Sequence, residues 1–123
     1  MNNPTTLQYS QHHLWVLIEG ETATVGITDF AQKALGDIVF IDLPKVGEHV
    51  IVGEIFGDIE SVKTASDLIS PISGVIAKVN EALTDTPDDL NLSPYGHWVI
   101  KVSGLSTPKA LMDAAEYEIF CSD

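Results

Sequence analysis

Short apolar runs separated by glycine, proline and acidic turns dominate this chain, the pattern of strands with little helix. His13-Leu14-Trp15-Val16-Leu17-Ile18 reads as a first strand, and Glu19-Gly20-Glu21 turns it into a second, Thr22 to Ile27. Thr28 is placed to cap a short helix over Asp29 to Leu35, which Gly36 can end. Asp37 to Leu43 is rich in β-formers and is expected to be a buried strand that Pro44 stops. Beyond a turn at Lys45 to Glu48, strands are expected over His49 to Val52, Ile55 to Val62, Asp67 to Ser70, Val75 to Val79 and Trp98 to Val102. Thr84 to Asn91, rich in Asp, Thr and Pro, reads as a loop. Thr107 and Pro108 can open a C-terminal helix, with Leu111, Met112, Ala115 and Ile119 on one stripe against the sheets.

A glycine-containing turn followed by an apolar strand occurs on each side of Lys63: Val46-Gly47-Glu48-His49-Val50 before it, Ser73-Gly74-Val75-Ile76 after it. Two such halves can make two facing sheets, with Lys63 on a connecting hairpin. The lysine stands in Gly57-Asp58-Ile59-Glu60-Ser61-Val62-Lys63-Thr64-Ala65-Ser66-Asp67, where every other charge is negative. Its flanks are small or short, so an enzyme can close around it. A single surface lysine is ordinarily a solvated cation. Here the acidic setting, the slender flanks and the two strand-like arms point instead to an amine presented for acylation, which removes its charge.

Charge adds to this picture. The 123 residues carry six Lys, no Arg and eighteen Asp and Glu, for a net charge of −12. Nucleic acid and anionic membranes need clustered cations, so both are excluded as partners. A protein partner with a basic docking patch fits such a surface. The length suits one domain, spanning 1–123, able to bury a core without a metal or a disulfide. Cys121 has no intramolecular partner, and its acidic neighbours Glu118 and Asp123 disfavour a thiolate.

Little else in the chain carries chemistry. His12, His13, His49 and His97 have no chelating spacing, there is no Cys-x-x-Cys, and neither a phosphate loop nor a nucleophile elbow occurs. Glu60 and Asp67 lack the cleft that acid–base work requires. Trp15 and Trp98 read as packing residues. No enzyme is expected, and no metal. The N-terminal Met1 to Thr6 shows neither a secretory nor an organellar leader, so the cytoplasm is the expected compartment.

The motifs His13-x-Trp15, Ala23 to Gln32, Leu35-Gly36-Asp37-Ile38-Val39-Phe40, Leu43-Pro44, Glu60-Ser61-Val62-Lys63, Ser66-Asp67, Ser70-Pro71-Ile72-Ser73-Gly74, Val79-Asn80-Glu81-Ala82-Leu83 and Pro94-Tyr95-Gly96 occur in this order. Together they resemble the H proteins of the glycine cleavage system over about Tyr9 to Phe120. The resemblance implies a mainly β fold, a flattened β-sandwich or barrel-sandwich hybrid of the lipoyl/biotinyl carrier type with short helices and a C-terminal helix. It implies lipoate in amide linkage on Lys63, within the Glu60-Ser61-Val62-Lys63 recognition context. It implies a non-catalytic carrier in glycine catabolism and one-carbon metabolism that shuttles an aminomethyl group. The implied partners are glycine decarboxylase (P protein), aminomethyltransferase (T protein), dihydrolipoamide dehydrogenase (L protein) and a lipoate-attaching enzyme, all served by a monomer.

The family shelters the loaded arm in a cleft, and Asp67 matches a position that contacts its amine. Two departures stand out. The usual His-Glu-Trp motif has Leu14 in place of the Glu that shares this task, with His12 before it, and the Tyr95-Gly96-His97-Trp98 turn is one residue short. The missing carboxylate motivates a second reading, a lipoate relay or store that supplies other lipoyl-dependent complexes. A biotin carrier fits poorly, because Lys63 lies between Val62 and Thr64 and not between methionines.

Overall fold

The computed structural model describes residues 3–106 and 111–122. Its strands are β1 (Gln8–Tyr9), β2 (Leu14–Glu19), β3 (Thr22–Ile27), β4 (Ile38–Asp42), β5 (His49–Val50), β6 (Ile55–Ser61), β7 (Ala65–Ile69), β8 (Gly74–Val79) and β9 (Ile100–Ser103). Helices are α1 (Asp29–Leu35), α2 (Ala82–Asp85), α3 (Asp89–Leu92) and α4 (Ala114–Ser122). The strands form a six-stranded antiparallel sheet, β1-β2-β3-β9-β8-β5, and a three-stranded one, β4-β6-β7.

Period-two alternation puts Leu14 and Val16 of β2 on the face toward the smaller sheet, with Val25, Ile27, Ile100 and Val102 from neighbouring strands. Ile41, Ile59 and Leu68 answer from the smaller sheet, so both sheets share one core. Each of these side chains contributes about 1.5–3 kcal/mol by leaving water. Trp15 points the other way and joins Tyr9, Ala114 and Tyr117 in a second cluster beneath α4. Its indole Nε1 donates to the Pro94 carbonyl at 3.0 Å, so burial leaves no unmet donor.

Strand β3 and helix α1 have the expected limits, and Thr28 caps α1 by accepting from Ala31 N. The repeat about Lys63 acquires a physical meaning. The half before the lysine pairs with the half after it, His49 opposite Val75 and Val50 opposite Gly74, within the larger sheet. Lys63 tops the β6–β7 hairpin of the smaller sheet.

Several expectations are corrected. β4 is not buried: Ile38 and Ile41 point inward, while Val39 and Phe40 are 55% and 49% exposed on an edge strand. β5 spans only His49–Val50. The segment expected as a loop, Thr84 to Asn91, is partly taken up by α2 and α3, because Leu83 beside it and Leu90 within it are drawn fully into the core. Thr107 and Pro108 lie outside the described residues. The C-terminal helix begins at Ala114, where Asp113 and Glu116 accept from each other's backbone N–H in a capping box. Met112 is extended instead, exchanging two backbone hydrogen bonds with Tyr9. The expected stripe is therefore broken: Ala114 and Tyr117 face the sheet and Ile119 is 68% exposed.

Candidate functional site

The hairpin tip Val62-Lys63-Thr64 is held from below by one side chain. Ser61, buried at the end of β6, accepts from Thr64 N at 3.2 Å and from Lys63 N at 3.4 Å, and its hydroxyl donates to Thr64 O at 3.2 Å. Ser61 N also donates to Thr64 O, and Val62 N to Asp37 O at 3.0 Å, which ties the tip to the start of β4. Val62 and Lys63 are exposed. The lysine is thus offered to solvent from a tip whose backbone N–H groups are paired.

The lysine stem passes the α1–β4 connection. Gly36 has φ +80°, and a Cβ there would stand 3.4 Å from Lys63 Cε. Only glycine accepts that backbone without strain. Asn91 of α3 locks the same connection, accepting from Ile38 N at 2.9 Å and donating to Gly36 O at 2.8 Å. Nothing in the sequence singled Asn91 out, because its partners lie more than fifty positions away.

Two cavities flank the tip. One, of about 250 Å³, lies between α1, the β1–β2 turn and the start of β7, with Ala31, Ala34 and Leu35 as an apolar floor and His12, His13 and Ser66 at its sides. The other, of about 630 Å³, has Val62, Val39 and Leu92 among its walls, with Asp37 and Asp88 beside them.

Asp67, expected to contact the arm, and Glu60 both lie on the outer face of the smaller sheet. Asp67 is opposite Asp58, and Asp58 opposite Asp42, so three aspartates form one row across the outer face of the smaller sheet. Glu60 belongs to the next row, between Phe40 and Ala65. Among the described residues neither Glu60 nor Asp67 has an ion pair, and Asp67 is not among the residues lining the cavity beside α1. Leu14 is 3% exposed and packed in the core, so here it is a packing residue.

At the cavity's inner wall, His13 stacks on Phe30 with ring centres 4.3 Å apart, and its Nδ1 lies 2.7 Å from the Tyr117 hydroxyl. That hydroxyl is 2.8 Å from Thr28 Oγ1. Burial, and then the charge of His12, lower the pKa of His13, whereas burial raises that of Tyr117. Both side chains are therefore neutral near pH 7.

Known proteins match the chain over nearly its whole length. The family model described as "Glycine cleavage H-protein" matches residues 7–123. The glycine cleavage system H protein of Geobacillus kaustophilus is 49% identical over 100% of this chain and 99% of its own length. That of Anoxybacillus flavithermus is 52% identical over 96% of this chain and 95% of its own. The crystal structure of the H protein from Mycobacterium marinum superposes with a TM-score of 0.92 at 41% identity, covering 98% of this chain and 100% of that one. Matches of this extent favour the carrier over the relay, and the chain belongs to the glycine cleavage H-protein family, the lipoyl carriers of the glycine cleavage system.

Proposed function

We propose that Lys63 is the lipoyl attachment site, the amine being acylated by a lipoate-attaching enzyme that reads the Glu60-Ser61-Val62-Lys63 segment. The observation that carries this reading is the pairing of an exposed lysine with a hairpin whose backbone is fixed by Ser61. The surroundings fit the group: the lysine stem passes Gly36, and an apolar-floored cavity adjoins the tip. Lipoate supplies a cyclic disulfide that can be opened, loaded with a one-carbon amine and reoxidised. The chain's own residues hold, aim and shelter it.

The partners we propose are a glycine decarboxylase, an aminomethyltransferase and a dihydrolipoamide dehydrogenase, with the chain itself acting as a monomeric, non-catalytic carrier. A tethered arm replaces encounters between separate molecules with a high local concentration at each partner. A net charge of −12 favours basic surfaces around the partners' active-site mouths and makes their association salt-sensitive.

Intact-mass and peptide mapping of the protein from its own host test the attachment. A lipoyl increment on Lys63 alone is expected. A biotinyl increment, or an increment on another lysine, overturns the reading.

A further inference from the structure

We propose that Tyr117, on helix α4, is a positioning residue for the cavity beside Lys63: acting through His13, it sets that wall of the cavity as a hydrogen-bond donor. The proposal deepens the reading of Lys63 as the arm's attachment point and rests on it.

Proton accounting carries the inference. Thr28 Oγ1 is completely buried and accepts from Ala31 N–H at 3.2 Å, and its one further partner among the described residues is the Tyr117 hydroxyl at 2.8 Å. The Thr28 hydroxyl proton therefore points to Tyr117. Having accepted it, Tyr117 donates to Nδ1 of His13 at 2.7 Å, a better acceptor than the Cys121 thiol that also neighbours the hydroxyl. The reverse polarity leaves a buried hydroxyl proton with at best the weak thiol sulfur of Cys121 to accept it, which buried polar groups avoid. With Nδ1 accepting, a neutral imidazole carries its proton on Nε2.

The ring has little freedom to turn away. One face stacks on Phe30, and Tyr117 is fully buried and stacked on Tyr9 with centres 4.7 Å apart. The β1–β2 turn fixes the backbone of His13 in the left-handed region, φ 65°, with His13 O accepting from Thr28 N. Nε2 has no protein partner among the described residues, and His13 lines the cavity. Among the described residues the ionisable groups around it are His12 on its own turn and, on α4, Tyr117 with Cys121 beside it. The α1 wall contributes Phe30, Ala31, Ala34 and Leu35, and the β7 side Thr64, Ala65 and Ser66, none of them charged. The wall thus offers one oriented N–H, and its complement on the arm is an acceptor: the amide carbonyl or a sulfur.

Long-range ¹⁵N–¹H NMR of the unmodified protein at pH 8 reads the tautomer directly. A single Nε2–H form of His13 is expected. Tyr117→Phe should give a tautomer mixture and a His13 pKa nearer the ordinary imidazole value. Thr28→Val should do the same, and Thr28→Ser should restore the single form, which keeps the test open should one variant fold poorly. An Nδ1–H form in the parent protein, or a tautomer and pKa indifferent to Tyr117→Phe, overturns the proposal. The second arm compares protein acylated on Lys63 with lipoyl or with octanoyl. A shift of the His13 Nε2–H resonance with both groups identifies the carbonyl as acceptor, and a shift with lipoyl alone identifies sulfur. No shift with either overturns the functional half of the proposal even where the tautomer stands. Absence of a lipoyl increment on Lys63 in host-purified protein removes the Lys63 reading and that functional half with it, but leaves the tautomer result intact.

Discussion

The two sheets treat their outer faces in opposite ways. The larger sheet is covered on both sides near β2: Val16 and Val25 face the shared core, and Trp15 and Tyr9 are sealed by α4. The smaller sheet buries Ile41, Ile59 and Leu68 on one face and shows the row Asp42, Asp58, Asp67 on the other. Like charges directly opposite one another on a sheet cost stability. No described cation pairs with them. One sheet secures the fold, and the other spends part of that stability on a surface that presents Lys63.

Substitutions can break or sharpen this division. The largest expected effect is functional and falls on the smaller sheet's tip: Lys63→Arg should abolish the lipoyl increment by mass spectrometry and glycine cleavage in a reconstituted assay. As an exposed change it should leave unfolding free energy within about 0.5 kcal/mol. The largest effect on stability should fall on the larger sheet. Ile100→Ala, at a fully buried position, should cost about 2–5 kcal/mol in urea unfolding, against about 0.5 kcal/mol or less for Val39→Ala on the exposed edge. Equal costs at the two sites would erase the contrast.

Ser61→Ala is expected to lie between these, losing about 1 kcal/mol. It should also raise amide hydrogen exchange at Val62 to Ala65 and slow lipoylation, because the tip loses its anchor. Asp58→Asn relieves repulsion on both sides of the central strand. It should stabilise the protein by about 0.2–1 kcal/mol while flattening the salt dependence of partner binding. If it destabilises, the acidic row serves the fold after all.

The smallest expected effect is the pH response through His13. Burial lowers its pKa in the folded chain. Between that value and the ordinary imidazole value of about 6.5, the unfolded state binds more protons than the folded one. This contribution is complete above about pH 6.5 and lost as pH falls through the folded value. Urea midpoints measured from pH 7.5 downward should fall less for His13→Gln than for the parent protein.

The strands nearest in sequence were the most legible. β3, α1 and the β6–β7 hairpin follow from alternation, a Thr cap and a Gly stop over a few neighbouring residues. The same local signals misled where burial was decided from afar. Val39 and Phe40 have core-like side chains but lie on an edge strand, and the Asp- and Thr-rich segment around Leu83 and Leu90 became helical because those two leucines found the core. The capping pair Asp113 and Glu116 was present in the sequence and places the start of α4 correctly.

By itself, then, the sequence determined the strand-rich architecture, the acidic surface, the lysine at its tip and the carrier family, since all of these reside in residue types and their spacing. Only the tertiary structure decided that Asp67 joins a row of aspartates instead of the cavity wall, that Leu14 is core, that Asn91 fixes the turn beneath the lysine, and that Thr28, Tyr117 and His13 form one proton-ordered chain. The physical reason is distance along the chain. These contacts join residues far apart in sequence, and their geometry exists only once the two sheets and α4 have packed.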